Sequence, residues 1–217
     1  MKEDLMIGVL ASDGDAQMGA DMLTARGIKT KKYSVVVTAR EQTQFQMQPL
    51  EVRTERIRGL LKEAIADGMD SVMVYCNSLS STIDFPSLSK ELGVKIVTPL
   101  MAYGDYAKKH NTLAVMAGNS QGLAGIERAI IEANMDATVI GAGTVLFPIE
   151  VEAKTPPKEI IEKFGLEDLL KFFAACEAEV IIMGCTHFPY FMNELQKKTD
   201  IELLNPDDRM VEILLEQ

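Results

Sequence analysis

Val72-Met73-Val74-Tyr75-Cys76-Asn77-Ser78 and Val180-Ile181-Ile182-Met183-Gly184-Cys185-Thr186-His187 are the two stretches that decide the fold. Each is an apolar run that reads as a buried strand and ends at a cysteine followed by small polar residues. Short Val- and Ile-rich runs bounded by turn-forming residues suit strands covered on both faces of a parallel sheet. Ligands of such sheets bind in the crevice beyond the carboxyl ends of the strands, so a thiol placed there faces a ligand. A second thiol in the same context about half a chain later points to a pair acting on one substrate.

Outward from these two stretches, short apolar runs alternate with amphipathic patterns, the mark of repeated parallel βα units. Residues 5–10 form the first run and lead into Ala11-Ser12-Asp13-Gly14-Asp15, which suits a turn and a helix start. Val35-Val36-Val37 reads as the second strand. Residues 51–67 carry a helical stripe of Ile57, Leu60, Leu61, Ala64 and Ile65 that closes at Gly68. Residues 95–97, 112–117 and 137–140 are further strands, and a helix over 166–176 precedes the Cys185 strand. The run Ile7-Gly8-Val9-Leu10-Ala11-Ser12 matches Leu113-Ala114-Val115-Met116-Ala117-Gly118 in character, so the halves look like copies. The expected fold class is α/β: two similar lobes, each a parallel sheet flanked by helices, related by a pseudo-two-fold axis with the site in the cleft between them. Residues 1–97 plus 203–217 make the lobe that carries Cys76, and residues 98–202 make the lobe that carries Cys185.

Composition limits the use of the two thiols. The chain of 217 residues is 47% hydrophobic and 25% charged, which suits an ordinary globular protein. A formal charge of -10 argues against a nucleic-acid surface, which needs a basic stripe. No stretch approaches the roughly 20 apolar residues of a membrane span, and Met1-Lys2-Glu3-Asp4 leads straight into a strand without a signal-peptide apolar region. The expected location is the cytoplasm. Three cysteines, without Cys-x-x-Cys spacing and with only His110 and His187 beside them, fit free thiols better than a disulfide framework or a zinc site. Cys176 reads as helix packing and His110 as a solvated helix end. Gly118-Asn119-Ser120-Gln121-Gly122 has neither the lysine of a P-loop nor the spacing of a dinucleotide fingerprint.

With these residues in view, Cys76-Asn77-Ser78 and Gly184-Cys185-Thr186-His187-Phe188-Pro189 resemble the two signature motifs of the aspartate/glutamate racemase family, the second in the form typical of glutamate racemase. The resemblance runs along most of the chain. Ile7-Gly8-Val9 followed by Ser12, Thr38-Ala39-Arg40, Phe147-Pro148 before acidic residues, and Asn205-Pro206-Asp207 fall in the family's order. Two departures stand out. The aspartate that usually precedes the loop serine is Ala11 here, with Asp13 and Asp15 as candidates to replace it. The usual Pro-Tyr-Gly segment gives way to Glu41-Gln42-Thr43-Gln44-Phe45.

The resemblance implies cofactor-independent racemisation of an acidic amino acid, glutamate first, serving D-glutamate supply for peptidoglycan in the cell wall. Inverting an α-carbon requires removing a proton from one face and returning one to the other, so two acid/base groups must flank it. A thiol, with an ordinary pKa of about 8.5, can serve as base on one side and as acid on the other. Cys76 and Cys185 take those roles, with His187 assisting Cys185 and Glu150 or Glu152 as the acidic residue expected after Phe147-Pro148. Ser12, Asn77, Ser78, Asn119 and Thr186 are the expected substrate contacts. Metal and cofactor are not expected. The expected partner is a small amino acid, not nucleic acid or membrane, with a homodimer the one assembly considered. Aspartate racemase, a related reaction such as maleate isomerase or hydantoin racemase, and a non-catalytic binding protein are the alternatives.

Overall fold

A computed structural model describes residues 5–216; Met1-Lys2-Glu3-Asp4, part of the signal-peptide argument, lies outside the described residues. The elements run β1 Met6–Ala11, α1 Asp13–Thr24, β2 Lys29–Ser34, α2 Ala39–Gln46, α3 Leu50–Ala66, β3 Ser71–Val74, α4 Asn77–Ser80, α5 Phe85–Leu92, β4 Lys95–Val97 and α6 Pro99–Ala107. They continue with β5 Thr112–Ala117, α7 Ser120–Ala133, β6 Thr138–Gly143, α8 Leu146–Glu152, α9 Pro157–Lys163, α10 Leu166–Ala175, β7 Val180–Gly184, α11 Pro189–Gln196, β8 Glu202–Leu204 and α12 Asp207–Leu215. The chain divides into two compact units, Met1–Pro99 with Asp207–Gln217, and Leu100–Pro206.

Each unit holds one four-stranded sheet, all parallel, in the orders β2-β1-β3-β4 and β6-β5-β7-β8. The expected class, two parallel sheets flanked by helices, is the one observed. In the second sheet the pleat sorts side chains cleanly. Ala114, Met116, Ile181 and Met183 join Phe147, Phe173, Phe188 and Phe191 in one core cluster. Leu113, Val115, Ala117, Val180 and Ile182 join Tyr103, Ile126 and Ile130 in another. Both faces are covered, so the strands read as unbroken apolar runs. In the first unit one continuous core gathers the β1 and β3 residues with Ile57 and Leu61 of α3 and Met210 of α12. Helix α1 lies close on this sheet because Gly19 has no side chain: a Cβ there would stand 2.9 Å from Val9 and from the Tyr75 ring.

One strand differs from its expected place. Val35-Val36-Val37 follow the second strand rather than form it; β2 is Lys29–Ser34, with only Tyr33 buried. The strand is an edge, where one side faces water and lysines protect it from further pairing, so it lacks the apolar run that marks a central strand. Val35 still donates its N–H to Ala11 O at 2.8 Å, extending the chain one step beyond the ladder. Leu203 and Leu204 belong to β8, the edge beside β7.

The entry into β5 is held by Glu179, which accepts the N–H groups of Asn111 (3.0 Å) and Thr112 (3.1 Å) and lies 3.2 Å from His110 Nδ1. The Asn111 and Thr112 donors, in that order, hold its carboxyl below the ordinary value of 4.5. A depressed carboxylate stabilises the fold above its unfolded pKa, and that stability is lost as pH falls through the folded value. Glu179→Gln should therefore unfold at lower urea concentration than the parent at neutral pH, with the gap closing on acidification below the ordinary carboxylate range.

Candidate functional site

Both sheets place a cysteine at the same topological point. In the order β2-β1-β3-β4, the chain leaves β1 toward one edge and leaves β3 toward the other. Right-handed crossovers then carry the two following segments to opposite faces, opening a crevice beyond the carboxyl ends of that strand pair. Ser12 follows β1 and Cys76 lies just past β3, with Leu10 paired to Val74 and Tyr75 N donating to Leu10 O at 3.0 Å. In the order β6-β5-β7-β8 the equivalent pair is β5 and β7, with Ala117 paired to Gly184. Asn119 lies just past the first of these strands and Cys185 directly follows the second.

In the first unit, Cys76 is buried and its Sγ lies 3.5 Å from Ser78 Oγ. Gln46 Nε2 donates to that same hydroxyl oxygen at 2.7 Å. With one lone pair so occupied, the Ser78 proton is free to point at the sulfur, the arrangement a thiolate accepts. Asn77 is buried beside it, and Ser80 Oγ donates to Cys76 O at 2.7 Å, closing the short turn of α4. Ser12 caps α1: its Oγ accepts from Asp15 N at 3.4 Å and donates to Asp15 Oδ2 at 2.9 Å. Asp15 is buried there. Asp13 turns away to Ser34 and Lys32, at 2.7 and 3.0 Å, and these two, Ser34 first, hold its carboxyl below the usual range. Of the two aspartates near Ala11, Asp15 is the one in contact with Ser12.

In the second unit, Asn119 caps α7 by accepting from Gly122 N at 2.8 Å. Cys185 is half-buried and lies 3.8 Å from His187 Nδ1, while His187 Nε2 lies 3.5 Å from Glu152 Oε1. The imidazole, only 4% exposed, thus bridges a carboxylate and a thiol, the order in which a carboxylate orients a base toward a nucleophilic or acid/base sulfur. Glu150 serves elsewhere: it accepts from Lys163 at 2.6 Å and Thr155 at 2.7 Å, and Lys163 above all keeps its carboxyl below the usual range. Thr186 is buried between the thiol and the imidazole in sequence. Cys176, by contrast, is the cap residue of α10, outside this group.

The expected site residues therefore gather as two sets, Ser12, Cys76, Asn77 and Ser78 in one unit and Asn119, Cys185, Thr186 and His187 in the other. Helix α2, with Gln46 on Ser78, went unread in the sequence although it announces itself. Thr38 accepts from Glu41 N at 3.2 Å while Glu41 accepts from Thr38 N at 3.1 Å, a capping box spelled Thr-x-x-Glu. Among the described residues no group of three His, Cys, Asp or Glu side chains converges as a metal site, and no helix is long and apolar enough to cross a membrane.

No family model matches the chain. A curated glutamate racemase of Aliivibrio fischeri is 24% identical over 144 residues, a match spanning 63% of this chain and 51%, about half, of that protein. Among solved structures, the glutamate racemase of Francisella tularensis in complex with D-glutamate superposes with a TM-score of 0.80 at 16% identity, covering 98% of this chain and 80% of that one. The Escherichia coli glutamate racemase, solved with L-glutamate and an activator, gives 0.70 at 15% identity over 97% and 80% of the two chains. An aspartate racemase homologue from Pyrococcus horikoshii gives 0.70 at 14% identity over 97% and 99%. The chain thus has the fold shared by aspartate and glutamate racemases. Its similarity to glutamate racemase, read from the two cysteine motifs, is borne out in sequence and in fold.

Gly118 decides where the Cys185 thiol can sit. A Cβ on Gly118 would stand 2.8 Å from Cys185 Sγ, well inside van der Waals contact. Gly118→Ala should fold but force the sulfur out of its present position and crowd the approach to it. Alkylation of Cys185 by iodoacetamide, followed by mass spectrometry, should then be slower than in the parent; an unchanged rate would show that the thiol does not depend on this contact.

Proposed function

We propose that the protein is a racemase of an acidic amino acid, glutamate first, working without pyridoxal phosphate or metal by proton transfer through two thiols. The observation that carries the reading is the repeated placement of a cysteine beyond the strand pair where each sheet reverses its order. One thiolate removes the Cα proton, and the other thiol delivers a proton to the opposite face; substrate handedness decides which acts as base. His187, backed by Glu152, orients Cys185 and can pass it a proton, while Ser78, set by Gln46, orients Cys76 and steadies its thiolate with a hydrogen bond. Asn77, Asn119 and Thr186 supply neutral donors for the substrate carboxylate, whose negative charge grows as the carbanion forms, and Ser12, whose one proton goes to Asp15, offers its oxygen as an acceptor for the substrate ammonium. In this reading Asp15 stands in for the aspartate missing at Ala11 by fixing the Ser12 hydroxyl. The product would be D-glutamate, a building block for peptidoglycan made in the cytoplasm.

Chiral chromatography after incubation with each enantiomer of glutamate and aspartate tests the activity. Glutamate should have the higher kcat/KM with aspartate slower, since one methylene is worth only about 1–3 kcal/mol of discrimination. Cys76→Ala and Cys185→Ala should each keep the circular dichroism of the parent and lose about 10²- to 10⁴-fold in turnover or more, the range of a lost acid/base group. Full activity in either variant would end the two-thiol mechanism. Activity that vanishes with EDTA or hydroxylamine and returns with added metal or pyridoxal phosphate would end the cofactor-free one. Glu152→Gln should lower kcat with little change in KM, because it acts through His187; an effect confined to KM would remove it from that role.

A further inference from the structure

Each four-stranded sheet has two edges, and three of the four edge strands carry a device against further pairing. β2 exposes Lys29, Lys31 and Lys32, while β4 and β8 are only three residues long and begin at Lys95 and Glu202. β6 has neither defence. It runs six residues, Thr138-Val139-Ile140-Gly141-Ala142-Gly143, and no charged residue or proline stands between Ala137 and Phe147. The ladder shows which of its backbone groups are left open. Thr138 N donates to Asn111 O at 2.7 Å and Thr144 N to Ala117 O at 3.2 Å, in a parallel register that pairs Thr138 with Thr112 and Gly143 with Ala117. Thr138, Ile140 and Ala142 therefore turn their N–H and C=O groups toward β5, and Val139, Gly141 and Gly143 turn theirs outward. The two glycines are there because α7 lies close: a Cβ on Gly141 would collide with Leu123, and one on Gly143 would stand 3.0 Å from Asn119 O. Their consequence at the edge is a backbone with no side chain to shield it.

We propose that β6 is the interface of a two-fold dimer, formed by antiparallel pairing with β6 of a second copy of this chain about an axis at Gly141. The pattern of open groups is its own complement. Reversing the strand about Gly141 sets Val139 of one copy against Gly143 of the other and Gly141 against Gly141, and each such pair exchanges two N–H to O=C bonds. The flanks match as well. Met135 and Leu146, 78% and 49% exposed, stand on either side of Gly141 at nearly equal distance along the chain, so the same axis brings Met135 of each copy to the Leu146 end of the other and covers both. Two chains of formal charge -10 meet there on a segment without charge. The two sheets become one of eight strands, and assembly stops at two copies because an isologous contact closes on itself. The pairing is independent of the chemistry proposed above.

Sedimentation velocity of the full chain over a concentration series tests the pairing, with hydrogen–deuterium exchange of residues 138–144 read by mass spectrometry at the same concentrations. The parent should show monomer and dimer alone, and exchange in 138–144 should slow as the dimer forms. Val139→Pro removes an outward N–H and no bond to β5. With two bonds lost per dimer, one from each copy, it should raise the dimer Kd about tenfold or more. Thr138→Lys leaves the backbone intact and places on this edge the device that β2 carries. It should raise the Kd as well, although it lowers the overall repulsion between two acidic chains. Both variants should keep the circular dichroism of the parent; if Val139→Pro does not fold, Thr138→Lys carries the test alone. A parent that stays monomeric throughout, an assembly larger than two, a dimer in which exchange of 138–144 does not slow, or a Thr138→Lys variant that pairs as tightly as the parent would each overturn the proposal.

Discussion

The reversal of strand order at the centre of each sheet is the constraint on which the rest depends. A parallel strand must be reached by a crossover, and the crossover's handedness fixes the face on which its helix lies. Where two neighbouring strands send the chain in opposite directions, the two segments that follow must part, and their loops frame a gap that no side chain of the sheet fills. The orders β2-β1-β3-β4 and β6-β5-β7-β8 create one such gap per unit. The candidate residues follow the strands that flank those gaps: Ser12 and Cys76 at one, Asn119 and Cys185 at the other.

The same constraint explains why the central strands were legible in the sequence while the edges β2 and β6 were not read at their true bounds; the edge β4, with Ile96 and Val97 buried, was. β1, β3, β5 and β7 are covered on both faces, so burial wrote them as runs of Val, Ile, Leu and Met, and their positions follow from composition alone. β2 carries Lys29, Lys31 and Lys32 and buries only Tyr33, so nothing apolar marks it, and the eye moves to Val35-Val36-Val37. β6, largely uncovered, was read three residues short of its end at Gly143. Helix α2 was missed because its buried face is two-thirds amide, although its capping box was in plain view.

Residue type and order along the chain were enough to point to the two cysteines, their neighbours and His187 as candidates, whose roles remain those proposed above. Two kinds of information were missing from the one-dimensional reading. The first is a choice between near-equivalents: Asp13 or Asp15, Glu150 or Glu152. Helix geometry and competing cations decide which member lies beside Ser12 or His187, since Lys32 and Lys163 draw Asp13 and Glu150 away. The second is contact between distant segments, such as Gln46 with Ser78 or Gly118 with the Cys185 sulfur. Spacing in sequence carries no trace of those pairs.

The two-thiol account makes each turnover a proton exchange with solvent through whichever thiol last held the proton. Incubating L-glutamate in deuterated water with the wild-type protein, and following Cα deuterium by mass spectrometry together with the enantiomer ratio, measures that directly. The account predicts that D-glutamate formed early carries deuterium at Cα while the remaining L-glutamate is still largely unlabelled, because the two faces are served by different groups. Label appearing in L-glutamate as fast as in D-glutamate from the outset would point to a single group serving both faces and contradict it.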